Sequence, residues 1–212
     1  MTEEEIKKQI EIQRNYFYTG ATLPVKSRIE VLKKLKEYIV GHEKEIHDAL
    51  HEDLGKSSFE SYMCETGLVL SELTHMIQHT EEYAEEQGVH TPISQFAARS
   101  YKKPVPYGVV LIMSPWNYPF LLSLDPLIDA LAAGNTVILK PSAYSPSTTA
   151  MIETLVRDCF EPEHVSVVTG GREENTCLLN QHFDYIFFTG SQNVGKEVMA
   201  KASQFLTPVT LE

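Results

Sequence analysis

The segment GVVLIM at residues 108–113, followed at once by SPWNYPF at 114–120, decides the fold class of this chain. An uninterrupted apolar run of this length is typical of a strand that is buried on both faces of a sheet. More short apolar runs follow, separated by stretches of helix length, and this alternation predicts one parallel sheet with right-handed helical crossovers. The predicted strands are 109–113, 136–139, 164–168, 185–188 and 209–211, and the predicted helices are 120–132, 146–159, 175–181 and 194–203.

The part of the chain before this segment has a helical pattern. Between Ile29 and Ile39, apolar residues recur at helix spacing among lysines and glutamates, within a region that extends over residues 1–86. Breaks at 20–24 and 51–58 divide this region into three predicted helices. We therefore expect a helical lead-in.

Residues 87–106 lack the helical period and are rich in Thr, Pro, Ser and Tyr, which favours an extended arm or hairpin. The alternation of strands and helices occupies residues 107–212. Together these regions predict an α/β protein with a Rossmann-like parallel sheet, helices on both of its faces and a helical lead-in.

The composition favours small-molecule chemistry. The chain carries 29 acidic and 18 basic residues, and its net charge of -11 does not suit binding to nucleic acid or to anionic lipid. The first residues, MTEEEIKKQIEIQ, lack the basic start and apolar run of a signal peptide, and no apolar run reaches the roughly 20 residues that a membrane helix needs. We therefore expect no membrane segment and a cytoplasmic location. The cysteines Cys64, Cys159 and Cys177 are far apart, and we expect reduced thiols that act as small buried apolar residues.

The histidines do not predict a metal site. His42 and His47 are five residues apart, which turns the second ring away from the first on a helix. His47 and His51, like His75 and His79, have the spacing of four that a shared zinc needs, but neither pair has an evident third ligand. Solvated helix faces are the expected location of both pairs.

The segment FTGSQNVG at 188–195 follows a predicted strand and opens a predicted helix. A helix N-terminus offers unpaired N–H groups and the positive end of a dipole, and Gly190 would let a phosphate approach the backbone. The spacing is not that of a GxGxxG motif, so the simpler alternative is that Ser191 caps a helix after a glycine turn.

Other polar residues follow the first, second and third predicted strands, at the edge of the sheet where ligands bind in folds of this class. Asn117 lies in a turn bracketed by prolines, and its amide could donate to a developing oxyanion, or it could simply satisfy its own turn. Lys140 could bind ribose or phosphate, or it could be a solvated loop lysine. Gly170 could admit a ligand or only make a turn, whereas Ser145 and the proline after it predict a helix N-cap.

The last predicted strand runs almost to the final residue, Glu212. A sheet that stops there leaves backbone groups and an apolar face without partners, so we expect a truncated or incompletely recorded polypeptide. The alternative is an edge strand that ends the domain.

Five motifs follow one another along the chain: SPWNYPF from Ser114, AAGN from Ala132, LKPS from Leu139, FTGS from Phe188 and TLE from Thr210. Together they resemble the aldehyde dehydrogenase superfamily, and the resemblance covers nearly the whole chain. The segments WNYPF at 116–120 and LTPVTLE at 206–212 are most similar to its class 3 or fatty-aldehyde branch.

The resemblance implies an enzyme in which a cysteine thiolate attacks an aldehyde, a hydride passes to NAD, and water hydrolyses the thioester to a carboxylic acid. Asn117 matches the asparagine that stabilises the oxyanion, and Glu212 matches the general base. Lys140 matches the lysine that binds the adenosine ribose. The other coenzyme-binding residues that the resemblance implies are Ser114, Pro115, Trp116, Gly170, Thr189, Gly190, Ser191 and Val194.

This chain departs from the family pattern in two respects. None of its three cysteines matches the nucleophile, so we expect the 212-residue chain alone to be inactive. Ala143 stands where many relatives carry a glutamate that contacts the ribose, and removing that carboxylate relieves repulsion of a 2'-phosphate, so we hypothesise that NADP is accepted beside NAD.

The resemblance and the arm at 87–106 also suggest a homodimer, with a small-molecule aldehyde as substrate. Two alternatives stay open: a non-catalytic module that only binds a dinucleotide, and an enzyme that reduces an acyl phosphate. The pair Trp116 and Asn117 counts against the second.

Overall fold

The computed structural model describes all residues from 1 to 212 and begins with a helical region. Thr2 and Glu5 form a capping box at its start. The predicted second helix is in fact two, because the chain breaks at His42, whose backbone leaves the helical region (φ -122°, ψ 23°). Gly41, directly before the break, is the signal in the sequence that the prediction did not use. The helices are α1 (Glu3–Tyr18), α2 (Val25–Gly41), α3 (Glu43–Leu54), α4 (Ser58–Ser61) and α5 (Gly67–Tyr83), and a π-helical turn (Tyr62–Thr66) joins α4 to α5.

A two-stranded antiparallel hairpin follows the helices. Its strands are β1 (Gln87–Val89) and β2 (Ser100–Lys102), with a short 3-10 turn at Ile93–Gln95 between them.

The rest of the chain alternates strands and helices around a parallel sheet, as predicted. The strands are β3 (Val109–Met113), β4 (Thr136–Lys140), β5 (Val165–Val167), β6 (Tyr185–Phe188) and β7 (Val209–Leu211). The helices are α6 (Leu121–Ala133), α7 (Pro146–Cys159), α8 (Arg172–Leu179) and α9 (Gln192–Ala202), so α8 begins three residues and α9 two residues earlier than predicted. The strand order is β5-β4-β3-β6-β7, and all pairs are parallel.

The uninterrupted apolar character of β3 follows from cover on both faces. Val110 and Ile112 belong to a core formed with α2, α3, α5, α6 and α7. Val109 and Leu111 point to the opposite face and belong to a second core with α1, α8 and α9. Helices therefore pack on both faces of the sheet, and no polar position is left to break the run.

Helix α1 is tied to the sheet by buried polar contacts. Gln13 is fully buried, and its Nε2 donates to the carbonyl oxygen of Val137 at 2.8 Å. Arg14 forms an ion pair with Asp184 at 2.8 Å, just before β6. No helix of the structure has both the length and the apolar character that crossing a membrane requires.

Candidate functional site

Three neighbouring strands end side by side at the carboxyl edge of the sheet. Met113 at the end of β3 is paired with Lys140 of β4 on one side and with Phe188 of β6 on the other. After β5 the chain returns to the far side of β3, so the connections on the two sides of β3 run in opposite directions. A crevice is expected at such a switch point, because the flanking helices diverge there.

The structure has a crevice of about 350 Å³ at this position. Its wall includes four residues that the sequence predicted for coenzyme binding, namely Ser114, Lys140, Gly170 and Val194. Charged side chains on the wall are Lys140, Arg172 and Glu197, so cationic groups outnumber carboxylates in a protein that is acidic as a whole. This crevice is therefore suited to a ligand that carries phosphate.

Lys140 is buried in the crevice wall, with only 3% of its surface exposed, so the alternative of a solvated loop lysine is wrong. Its Nζ donates to the carbonyl oxygen of Pro141 at 2.8 Å. Burial lowers the pKa of Lys140 to about 8, and the nearby carboxylate of Glu174 opposes that shift. The ammonium group lacks a close ion-pair partner, so a ligand hydroxyl or phosphate would compensate for its lost hydration.

The side chain of Glu174 caps the start of α8, next to Gly170. Its Oε2 accepts the N–H group of Gly171 at 2.7 Å, and backbone hydrogen bonds hold the pKa of the Glu174 carboxyl below its usual range. Gly170 has a φ of +125°, and a Cβ there would lie 2.3 Å from the Glu174 carboxyl carbon. The positive φ is therefore the reason for a glycine at this position. The hydrogen bond from Gly171 to Glu174 caps α8, which starts at Arg172.

The start of α9 faces the same edge of the sheet. Ser191 is the N-cap, and its hydroxyl accepts the N–H group of Val194 at 3.4 Å. The N–H groups of Gln192 and Asn193, in the first turn, have no acceptor within the helix. These two groups and the helix dipole provide a place for an anion.

Gly190 follows β6 and also serves the packing of the sheet. Its N–H group donates to the carbonyl oxygen of Glu212 at 3.0 Å, so this group is not available to a phosphate. A Cβ at this position would lie 2.6 Å from the Phe188 ring, so the ring occupies room that only a glycine leaves. The approach of a phosphate to this glycine stays a prediction.

Glu212 lies in a second pocket, of about 320 Å³, which Gly190 and Ser191 also line. Phe188 contributes to this pocket and to the Lys140 crevice, so the two are neighbours. The backbone of Glu212 is held by β6, because its N–H group donates to the carbonyl oxygen of Phe188 at 3.0 Å.

The turn at 114–120 leaves β3 next to the crevice. Trp116 is 53% exposed, and Asn117 is also exposed. The carboxamide of Asn117 makes no hydrogen bond, so the alternative that it satisfies its own turn is wrong. It is therefore free to donate to a ligand.

Lys56 and Glu65, which the sequence did not predict as site residues, support the turn at 114–120. Lys56 donates through Nζ to the carbonyl oxygen of Asn117 at 3.0 Å, and it forms an ion pair with Glu65. The sequence contains a signal that Glu65 is buried. Glu65 lies on the helical stripe that continues, at intervals of four residues, with the fully buried Val69 and Leu73. A carboxylate on an apolar stripe is rarely buried without a specific partner.

Ser145 is the N-cap residue of α7 and is followed by Pro146, as predicted, but its hydroxyl makes no capping hydrogen bond. Its hydroxyl donates toward the carbonyl oxygen of Ser142 at 3.4 Å, and the first turn of α7 is capped from outside. Asp53 in α3 accepts the N–H groups of Ser147 and Thr148 at 3.0 and 2.7 Å.

Four predicted residues line neither pocket: Trp116 and Asn117, described above, and Pro115 and Thr189. Pro115 is half-buried within the turn, and the hydroxyl of Thr189 is buried without a hydrogen-bond partner. The N–H group of Thr189 donates to the carbonyl oxygen of Met113 at 3.1 Å, so this residue continues the ladder between β3 and β6.

The expected solvation of the histidine pairs is wrong for His47, which is only 7% exposed and contacts the hydroxyl of Thr66 at 3.0 Å. His75 and His79 lie side by side on the outer face of α5, with tilted rings whose centroids are 4.5 Å apart. No group of three or more His, Cys, Asp or Glu side chains is arranged to hold a metal ion.

Among the cysteines, only Cys159 is buried, and burial raises the pKa of its thiol to about 11. Cys64 and Cys177 are half-buried. None of the three lines the Lys140 crevice or the Glu212 pocket.

Comparison with known proteins shows that this chain is similar to aldehyde dehydrogenases. The model of the aldehyde dehydrogenase family matches residues 1–212. The 4,4'-diaponeurosporen-aldehyde dehydrogenase of Staphylococcus aureus is 44% identical over 197 residues, which are 93% of this chain and 43% of that protein. Aldehyde dehydrogenase family 3 member A2 of Pongo abelii is 42% identical over 199 residues, which are 94% of this chain and 41% of that protein.

A solved structure of Staphylococcus aureus AldH in a substrate-bound state superposes with a TM-score of 0.96 at 42% identity, covering 98% of this chain and 45% of that one. The chain thus spans less than half of the length of the relatives that it matches.

Proposed function

This chain belongs to the aldehyde dehydrogenase family, and we propose that the protein containing it oxidises aldehydes to carboxylic acids with NAD as the hydride acceptor. The observation that supports this most directly is the arrangement at the carboxyl edge of the sheet. Lys140, Asn117 and the start of α9 follow three adjacent strands, and the strand register brings Met113 level with both Lys140 and Phe188. This arrangement supports the proposal of a nucleotide site with an oxyanion donor beside it.

The crevice fits the adenosine half of a dinucleotide. The buried ammonium group of Lys140 would donate to the ribose, and the N–H groups of Gln192 and Asn193 would face the pyrophosphate. Ser114, Pro115 and Trp116 would lie on the nicotinamide side. When bound, the nicotinamide accepts a hydride from the substrate.

NADP is proposed as a second coenzyme. Ala143 is exposed on the crevice wall and brings no carboxylate toward the ribose. The guanidinium group of Arg172 lies on the same wall, where it could pair with a 2'-phosphate. Glu197 is the acidic residue of this wall, and its carboxylate would repel a phosphate. The positive charges of Lys140 and Arg172 oppose this repulsion.

Asn117 is proposed as the oxyanion donor, since its carboxamide is exposed and free of internal hydrogen bonds. Glu212 is proposed as the general base that activates the hydrolytic water. The nucleophile is proposed to be a cysteine other than Cys64, Cys159 and Cys177, because none of these matches the nucleophile that the resemblance implies.

The test uses the intact protein with a panel of aliphatic and aromatic aldehydes and either coenzyme. Asn117→Ala is expected to lower kcat by about 10²- to 10³-fold, as the loss of one oxyanion donor does elsewhere, while the coenzyme dissociation constant stays unchanged. Asn180→Ala, at the exposed end of α8, is the matched control and should keep full activity.

Replacing each of the three cysteines by serine should leave turnover intact, and the purified 212-residue chain alone should not oxidise aldehydes. The proposal is wrong if the intact protein forms no reduced coenzyme with any aldehyde, or if Asn117→Ala is as fast as the wild type.

We also propose a homodimer, to which the hairpin contributes. Ile93 and Phe96 at its tip are 92% and 90% exposed, which is unusual for large apolar side chains that have no partner. Light scattering of the intact protein should report twice the mass of one chain, and the pair of substitutions Ile93→Ser and Phe96→Ser should lower it. A monomeric wild type would contradict this proposal.

A further inference from the structure

Lys56 and Glu65 form a buried ion pair directly beneath the turn at 114–120. Glu65 is completely buried, and Lys56 is 7% exposed. Removing two charges from water costs several kcal/mol, and a well-packed apolar pair of the same volume is often at least as stable. Stability alone therefore does not explain why charges occupy this place.

Beyond the ion pair itself, the side chains of Lys56 and Glu65 make their hydrogen bonds with one short segment. Lys56 Nζ donates to the carbonyl oxygen of Asn117 at 3.0 Å and lies 4.2 Å from the centroid of the Tyr118 ring. Glu65 Oε2 accepts the N–H groups of Phe120 at 2.8 Å and Leu121 at 3.1 Å. The pair thus holds both the middle of the turn and the start of α6.

The local backbone is shaped to place these two side chains. Glu65 lies in the π-helical turn (Tyr62–Thr66), a geometry that is rare and is often found at functional sites. Gly67 closes this turn, where a Cβ would lie 2.6 Å from the carbonyl oxygen of Tyr62. The backbone of Lys56 is held by His51, whose Nδ1 lies 3.0 Å from the carbonyl oxygen of Lys56.

We propose that Lys56 and Glu65 are positioning residues for Asn117, so that the ion pair fixes the backbone from which the Asn117 carboxamide reaches the developing oxyanion. This inference rests on the proposed function. The carboxamide itself has no hydrogen bond, so its location depends on the backbone of the turn. An oxyanion donor acts only when it is held in place before the reaction, and a displacement of about 1 Å can reduce the rate on the order of 100-fold.

The experiment combines Lys56→Met and Glu65→Gln with Asn117→Ala in the intact protein. Lys56→Met keeps the length of the side chain, and Glu65→Gln keeps its shape, so one of them remains informative if the other folds poorly. Lys44→Met is the control, because it removes the same ammonium group from an exposed ion pair with Asp48.

Each positioning variant is expected to lower kcat by about 10- to 100-fold with the coenzyme dissociation constant within about twofold of the wild type. In the Asn117→Ala background the same substitutions should lower kcat by less than about threefold, since the group that they position is gone. Hydrogen exchange at Phe120 and Leu121 should become faster in Glu65→Gln, with β3 and β4 still protected. Lys44→Met should behave as the wild type.

Equal losses of kcat in the two backgrounds would overturn the inference, because they would show that the pair supports general stability and not Asn117. Unchanged exchange at Phe120 and Leu121 would overturn it as well. A wild type that oxidises no aldehyde would instead refute the proposed function, and the exchange measurement would still show whether the pair holds the turn.

Discussion

The carboxylate of Asp53 in α3 accepts the backbone N–H group of Thr148 in α7 at 2.7 Å, across 95 residues of sequence. Its other oxygen accepts the N–H group of Ser147 at 3.0 Å. A side chain from one helix therefore caps another, and the negative charge lies at the positive end of the α7 dipole.

Asp53→Ala is expected to lower the free energy of unfolding by about 1–2 kcal/mol, because two N–H groups lose their acceptor. Ser145→Ala is the control, since the hydroxyl of Ser145 accepts no N–H group of α7, and it should change stability by less than about 0.5 kcal/mol. Urea denaturation of both variants checks this. If both variants lose the same free energy of unfolding, the contact of Asp53 with α7 does not contribute to stability as argued.

Coenzyme binding should depend on pH through Lys140, whose pKa is lowered to about 8 by burial. The ammonium group is charged below that pH and loses its proton above it. The coenzyme dissociation constant is therefore expected to rise by about tenfold between pH 7 and pH 9.5. Lys140→Met should bind more weakly at pH 7 and should show no such rise, as measured by fluorescence titration.

The lowered pKa of Lys140 also affects the stability of the coenzyme-free protein. A lysine whose folded pKa is depressed destabilises the folded protein at pH values below the folded pKa, and this cost is relieved as pH rises from about 8 toward the ordinary value of 10.5. Lys140→Met should therefore melt at a higher temperature than the wild type at pH 7, by a margin that shrinks at pH 10. A lower melting temperature at pH 7 would contradict this.

Gly190→Ala is expected to disturb the site, because the added Cβ would lie 2.6 Å from the Phe188 ring, which lines both pockets. The ring must move, at a cost of about 1–3 kcal/mol, and coenzyme binding should weaken with it. Gly41→Ala is the control, since a Cβ there meets nothing within 4 Å. Thermal melting and coenzyme titration test the pair of variants, and a Gly190→Ala protein with wild-type values in both would refute the packing argument.

Asp125 in α6 should make stability fall as the pH rises. Burial, and then the charge of Glu72, raise the pKa of Asp125 to about 6, and its Oδ1 is buried without a partner. The folded protein holds the proton more tightly between the ordinary value of 3.8 and about 6, so stability is lost as pH rises through that window.

Asp125→Asn should therefore be more stable than the wild type at pH 7, by up to about 2 kcal/mol, with a smaller advantage at pH 4.5. Glu72→Gln removes only the weaker of the two causes and should have a smaller effect in the same direction. Urea denaturation at the two pH values is the measurement. An Asp125→Asn variant that is less stable than the wild type at both pH values would contradict the prediction.

The sequence by itself determined the sheet and the location of the site along it. A strand covered on both faces leaves no polar position, so the apolar runs at 109–113 and 136–139 were recognisable without a structure. Polar residues that follow parallel strands must meet at one edge, which was enough to predict that Lys140, Asn117 and Ser191 lie near one another.

Only the tertiary structure decided what holds those residues in place. Lys56 contacts Asn117 across 61 residues, Glu65 contacts Phe120 across 55, and Asp53, in place of the neighbouring Ser145, accepts the capping hydrogen bonds of α7. A local pattern reports which side of a strand or helix is buried, but it does not report which distant side chain arrives there. That depends on how α3 to α5 pack beside the sheet, and packing is a property of the whole fold.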